Sequence, residues 1–134
     1  MKVRALKQSQ VLSLIVFAVG VFVLLGWALG NDLMTRVFPA FIAMKANTAV
    51  CFVLFGVSGF FMSSTNRAAK IFAGLAAAAG GLLAALTLGE ILLGWRLGID
   101  EFLFVDTLDP GGTADPGRMA PLTAVCFTLL GLIS

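Results

Sequence analysis

From Val11 to Leu29 the chain carries no charged side chain, and the same holds from Ala46 to Met62, from Ile71 to Gly89 and from Pro121 to Ser134. A soluble domain has about 25% charged residues; this one has 12%, with 60% hydrophobic residues and a mean hydropathy of +1.03. The balance excludes an ordinary soluble domain and predicts an integral membrane protein. A hydrocarbon core about 30 Å thick needs roughly 20 helical residues. Four spans are expected: 11–29, 46–62, 71–95 with Glu90 as its one acid, and 121–134. The fourth supplies only about 21 Å of helix at roughly 1.5 Å per residue. It is read as a truncated helix at one end of a larger polypeptide.

Two words are written twice. Thr48-Ala49-Val50-Cys51-Phe52-Val53-Leu54-Phe55-Gly56 returns as Thr123-Ala124-Val125-Cys126-Phe127-Thr128-Leu129-Leu130-Gly131, 75 residues on (123 − 48), and the match reaches back to Met44 and Met119. Before it, Leu24-Leu25-Gly26-Trp27-Ala28-Leu29-Gly30-Asn31-Asp32 is echoed by Leu92-Leu93-Gly94-Trp95-Arg96-Leu97-Gly98-Ile99-Asp100, 68 residues on (92 − 24). Ordered self-similarity of this kind marks a duplicated unit. The expected fold is therefore all-α: a four-helix transmembrane bundle of two tandem, parallel helical-hairpin repeats, related by a pseudo-twofold axis along the membrane normal. The divisions are a basic lead over 1–10, a first hairpin over 11–62 with an outer loop at 31–45, a turn over 63–70, and a second hairpin over 71–134 with an outer loop at 97–120.

Charge sets the orientation. Lys2, Arg4, Lys7, Arg67 and Lys70 lie on the side of the N-terminus and the 63–70 turn, with no acid among them, whereas all seven acids lie on the other side. The positive-inside bias puts the N-terminus and that turn in the cytoplasm. A cleaved signal peptide ending at Ala28-Leu29-Gly30 is the weaker reading, because the apolar run exceeds an h-region of about 7 to 15 residues.

The first outer loop, with Leu33, Val37, Phe38, Phe41 and Ile42 around Pro39, reads either as a bent interfacial or re-entrant piece or as an apolar loop packed on the bundle. Trp27 falls where an interfacial anchor belongs. Asn47 and Thr48 are placed to cap the second span, and Pro121 suits the first turn of the fourth. In the third span Ala73, Ala77, Gly81, Ala85 and Gly89 recur every fourth residue, a stripe on which another backbone can pack closely. Ile99, Phe102 and Leu103 among acids predict a short interfacial helix, followed by loop chemistry over 109–117.

Glu90 is the most informative charge, since an ionisable group inside a span is paired or faces a wet cavity. Its repeat counterpart is Phe22 (90 − 68). Arg96, Lys45 and Arg36 are possible partners, and a structural ion pair or a ligand or proton site both fit. Glu90, Arg96, Lys45 and Asp100 form the candidate signal site. With no histidine, the commonest metal and haem ligand is missing. Cys51 and Cys126, with Met44 and Met119, offer soft ligands, but cysteine packing as a small hydrophobe is the stronger reading. The acids of the second loop lack calcium-loop spacing. No nucleophile elbow, phosphate loop or nucleic-acid motif is present, so neither catalysis, a metal, a cofactor nor a nucleic-acid partner is expected.

Trp27 to Gly30, Pro39 and Met44-Lys45-Ala46-Asn47-Thr48-Ala49-Val50-Cys51-Phe52 resemble the membrane-embedded N-terminal input region of bacterial sensor histidine kinases and diguanylate cyclases. There a pattern like MxPNTAxCFxLxG closes each outer loop. Gly94-Trp95, Gly98-Ile99-Asp100-Glu101-Phe102-Leu103-Phe104 and Pro116-Gly117-Arg118-Met119-Ala120-Pro121 are similar to the second hairpin of that family. Ala46 stands where proline is usual and Leu122 where asparagine is usual. The resemblance implies a multi-pass sensor domain of the bacterial inner membrane, followed in a full-length protein by PAS, kinase or GGDEF modules. The alternative is a small accessory subunit of a larger membrane complex. In either case the bilayer is one partner, and a second copy or a complex subunit could dock on the alanine/glycine stripe.

The charge asymmetry predicts the outcome of membrane-impermeant thiol labelling in intact cells. On a background with Cys51 and Cys126 replaced, Phe102→Cys should label from outside and Ser64→Cys only after permeabilisation; the reverse pattern would overturn the orientation.

Overall fold

The computed structural model describes residues 7–38, 40, 42–106 and 117–134. Among these all regular structure is helical: α1 (Gln8–Leu29), α2 (Asp32–Arg36), α3 (Ala46–Met62), α4 (Arg67–Leu93) and α5 (Pro121–Ile133). Two helices, α1 and α4, are long and apolar enough to cross a membrane; α3 and α5 are shorter apolar helices. Lys2, Arg4, Pro39, Phe41 and the predicted 109–117 loop, apart from Gly117, lie outside the described residues.

Local chemistry sets the ends. The Gln10 side chain accepts the Lys7 amide at 3.1 Å, opening α1. Asn31 caps α2 by accepting from Leu33 and Met34, and Asn66 caps α4 by accepting from Ala68 at 2.9 Å. Pro121 opens α5 where its missing N–H costs nothing. For α3 the expected cap is corrected: Lys45 is the N-cap, and the Asn47 amide instead donates to the Ile99 carbonyl at 2.9 Å.

The long helices pack in chain order, α1 on α3, α3 on α4 and α4 on α5, with α2 laid on α1. Close approach depends on glycine at two equivalent places. A methyl built on Gly56 would lie 2.7 Å from the Phe17 amide of α1, and one on Gly81 would lie 2.8 Å from the Gly131 Cα. Gly56 and Gly131 close the two copies of the repeated word, and each seats its helix against the long helix preceding it. Between these contacts, Phe127 of α5 stacks on Phe55 of α3 at 5.4 Å and meets Phe52 edge-on at 5.7 Å.

The interior is made of small and polar side chains. Val23, Ala49, Cys51, Ala73, Ala84, Thr87 and Glu90 are all 1% exposed or less, while Leu12, Leu75, Leu82 and Leu132 are each more than 60% exposed. Large apolar groups therefore point outward along the helices.

The first of the two longer connections takes one of its two expected forms, and the second departs from expectation. In the first, Thr35 of α2 is fully buried, its carbonyl accepts from Met44 at 2.8 Å, and Leu33, Phe38 and Ile42 face outward. This is a loop packed on the helix ends. In the second, the helix predicted around Ile99 to Leu103 does not form; one turn bond, Phe102 to Ile99, is made, and Phe102 is 82% exposed. Gly98 at φ +74 breaks the helical path, and the Ile99 carbonyl and Asp106 amide are committed elsewhere.

The stripe of small residues finds its occupant within the chain. Ala73, Ala77 and Gly81 are buried, Gly81 lies against Gly131, and a methyl on Gly89 would sit 3.8 Å from the Trp95 ring. Gly131→Leu should cost about 1–3 kcal/mol, the usual penalty for overpacking, read as a lowered thermal midpoint in mild detergent. Gly74→Ala, with open space around it, should leave the midpoint unchanged or raised, since alanine is the better helix former.

Candidate functional site

Lys45, Asp100, Glu101, Asp106 and Arg118 converge at the end of the molecule where α1 and α4 finish and α3 and α5 begin. Lys45, one residue before α3, is 5% exposed, and its ammonium is in contact with Asp106 Oδ2. The same oxygen accepts the Gly117 amide at 2.9 Å, and Glu101 Oε1 accepts the Asp106 amide at 3.0 Å. Beside them Arg118 Nε lies 2.7 Å from Asp100 Oδ2, with both side chains largely covered. These bonds join the start of α3, the 94–106 segment and the four residues preceding α5. A carboxylate removed from water needs its charge met and its lone pairs filled, and Asp106 receives both from groups 61 and 11 residues away.

Glu90 occupies the last turn of α4, where the helix dipole disfavours an acid. The chain answers with its own backbone. Gly94 takes the left-handed conformation, φ +67, that a side chain disfavours. The segment turns back, and the Leu97 amide donates to Glu90 Oε1 at 2.6 Å. Glu90 is 1% exposed, and its second oxygen, Oε2, is buried with no hydrogen-bond partner among the described residues. It borders a pocket of about 270 Å³ lined also by Ile91, Gly94, Trp95, Arg96 and Arg118.

The candidate residues are thus brought to one end but not into one cluster. Lys45 meets Asp106, Asp100 meets Arg118, and Arg36 meets Asp32 at 2.8 Å. Arg96 is exposed at the mouth of the Glu90 pocket. Asp106 and Arg118 were not singled out from sequence. Their one signal was Lys45, a cation beside an apolar run, which pointed to a buried acid without saying which.

The repeat-equivalent pairs separate in the same way. Trp27, 7% exposed, donates to the Met44 carbonyl at 2.8 Å and lies 6.2 Å from the Phe104 ring. It is a buried brace and not the surface anchor expected. Trp95 falls outside α4 and is 53% exposed, because Gly94 ends its helix where Gly26 continues one. Cys51 is buried, Sγ 3.7 Å from the Gly80 carbonyl, while Cys126 is exposed; both are free thiols. Thr48 and Thr123 stay together, on the wall of a second cavity of about 600 Å³ between α3 and α5 that also touches Lys45, Arg118, Phe52 and Cys126. Among the described residues no cluster of three or more acidic, cysteine or histidine side chains is placed to hold a metal.

Comparison with protein-family models, with curated proteins and with solved structures gives no match.

Breaking the buried pair from one side leaves a charge uncompensated. Lys45→Met should cost about 3–5 kcal/mol, measured by denaturation in detergent. Adding Asp106→Asn should return a large part of that loss, because the amide oxygen still accepts from Gly117 without carrying a buried charge.

Proposed function

We propose that this chain is a non-catalytic signal-input domain of the bacterial cytoplasmic membrane. On this reading α1, α3, α4 and α5 form two parallel hairpins, with the N-terminus and the 63–70 turn in the cytoplasm. Support for the membrane setting comes from the outward-facing leucines and phenylalanines over a small-residue interior, an arrangement that suits lipid and not water. Support for the duplication comes from Gly56 and Gly131, which seat their helices in the same manner.

One observation carries the functional reading: the start of α5 is moored to the outer cap. Gly117 is bonded to Asp106 and Arg118 to Asp100, while Asp106 is held by Lys45 at the start of α3. A ligand or membrane change that shifts the 94–106 segment therefore acts on α5 directly, through charge-assisted bonds with little slack. In a full-length protein of the resembling kind, α5 leads toward a cytoplasmic kinase or cyclase module. The accessory-subunit alternative would use the small-residue stripe, of which Gly81 already lies against Gly131 of α5 and Gly89 near the Trp95 ring.

The test is to fuse the chain in frame ahead of a histidine kinase module and measure autophosphorylation in membrane vesicles. Asp100→Asn and Asp106→Asn should each shift basal output about fivefold or more, the scale of a coupling free energy of ~1 kcal/mol. The lipid-facing control Leu12→Ala should not. Output indistinguishable from the unsubstituted fusion in both Asn variants, with folding intact, would remove the cap from signalling.

A further inference from the structure

Glu90 Oε2 is a carboxylate oxygen with almost no exposed surface and no hydrogen-bond donor among the described residues, in a residue 1% exposed. Leaving such an oxygen unmet is expensive, so it marks a place where a donor is expected. The Leu97 amide is already spent on Oε1. Lys45 is spent on Asp106 and Arg36 on Asp32. The pocket that Glu90 borders supplies the remaining chemistry. Arg96 and Arg118 line it, Arg118 is engaged by Asp100, and the Trp95 indole lying over Gly89 forms an apolar wall.

With two acids (Glu90, Asp100) and two guanidinium groups (Arg96, Arg118), the pocket and its nearest partner carry no net charge. A purely cationic ligand would satisfy Glu90 but face the arginines, and a purely anionic one would satisfy Arg96 but face Glu90. A molecule bearing both charges matches both ends. At about 270 Å³ the space falls below the roughly 300–1,000 Å³ of sites for drug-sized ligands, which limits the occupant to the size of a simple metabolite.

We infer that the pocket beneath Trp95 and Arg96 binds a small zwitterion of the α-amino-acid type, its ammonium donating to Glu90 Oε2 and its carboxylate pairing with Arg96. Trp95 and Arg96 are both exposed and follow the glycine hinge at Gly94. They are the side chains that move aside to admit the ligand, and their closure over it pulls on the same 94–106 segment that moors α5. The inference rests on the cap being an input site and names the ligand class of that site.

The test uses the full chain in lipid nanodiscs, with glycine, L-alanine and L-serine as probes and propylamine and propionate as single-charge controls. Binding is followed by calorimetry and by the shift in thermal midpoint. At least one amino acid is expected to bind and raise the midpoint while neither control does so at equal concentration. Glu90→Gln keeps an oxygen for Leu97 but loses the negative charge, and it should weaken binding roughly tenfold to hundredfold, the worth of a hydrogen bond to a charged group. Arg96→Gln should do likewise. The unliganded midpoints of both variants should stay close to that of the unsubstituted chain, the check that the fold is kept. No binding by any of the three amino acids, controls that bind as well as they do, or undiminished binding by Glu90→Gln would each overturn the site. Binding that leaves the fused kinase unmoved keeps the site and removes the input reading; a kinase answering its stimulus normally in Glu90→Gln, with no amino acid bound, removes the site alone.

Discussion

The end of this molecule where α1 and α4 finish is held by one carboxylate. Asp106 Oδ2 takes the Lys45 ammonium and the Gly117 amide together, so the groups just before α3 and α5 converge on one atom of the loop between α4 and α5. Buried ion pairs contribute little net stability when complete, because desolvation offsets attraction, yet losing one member is costly. Such a pair is better suited to fixing an arrangement than to stabilising a fold. The four long helices already have their contacts. What the pair fixes is the register of the connections above them and, through Gly117 and Arg118, the position from which α5 departs.

The second determinant is small side chains inside and large ones outside. Lipid gives apolar helices no reason to associate by burial of area, so close contact must come from backbones that can approach. Gly56 against α1 and Gly131 against Gly81 meet that need at matching points of the two hairpins. Phe127, stacked on Phe55 and edge-on to Phe52, ties α5 to α3 as well. On the proposed input reading, displacement of the cap would reach a helix whose flank is already tightly seated, which favours a shift along its axis over a swing away from the bundle.

The helices were legible because their signal is local: long uncharged runs, Pro121 opening α5, and a repeated word that located α3 and α5 together, whereas α4 begins at Arg67, capped by Asn66, four residues before the expected Ile71. The Ala/Gly periodicity lies on a face of α4 where Ala73, Ala77 and Gly81 are buried and Gly81 meets Gly131 of α5. The cap was largely illegible. Lys45 and Asp106 are 61 residues apart, and no periodicity relates them. Glu90 was conspicuous as an acid in an apolar run, but its acceptance of the Leu97 amide depends on a chain reversal at Gly94. The sequence echo argued against that reversal, since the equivalent Gly26 lies within a helix. Equivalent residues took different roles where surroundings differed. Gly26 packs on Met34 and Thr35 of α2, and the second copy has no such helix among the described residues, so its chain is free to turn and Trp95 comes out.

That the cap is a fixed, bonded structure and not an ordinary loop is the claim on which the rest depends, and residue-resolved amide hydrogen exchange of the chain in lipid nanodiscs addresses it most directly. The amides of Leu97 and Gly117 lie in non-helical segments, yet each donates to a buried carboxylate. Both should exchange slowly, on the timescale of amides within α3 and α4, and both should become fast when Glu90 and Asp106, respectively, are replaced by alanine. Rapid exchange at Leu97 and Gly117 in the unsubstituted protein would contradict the account.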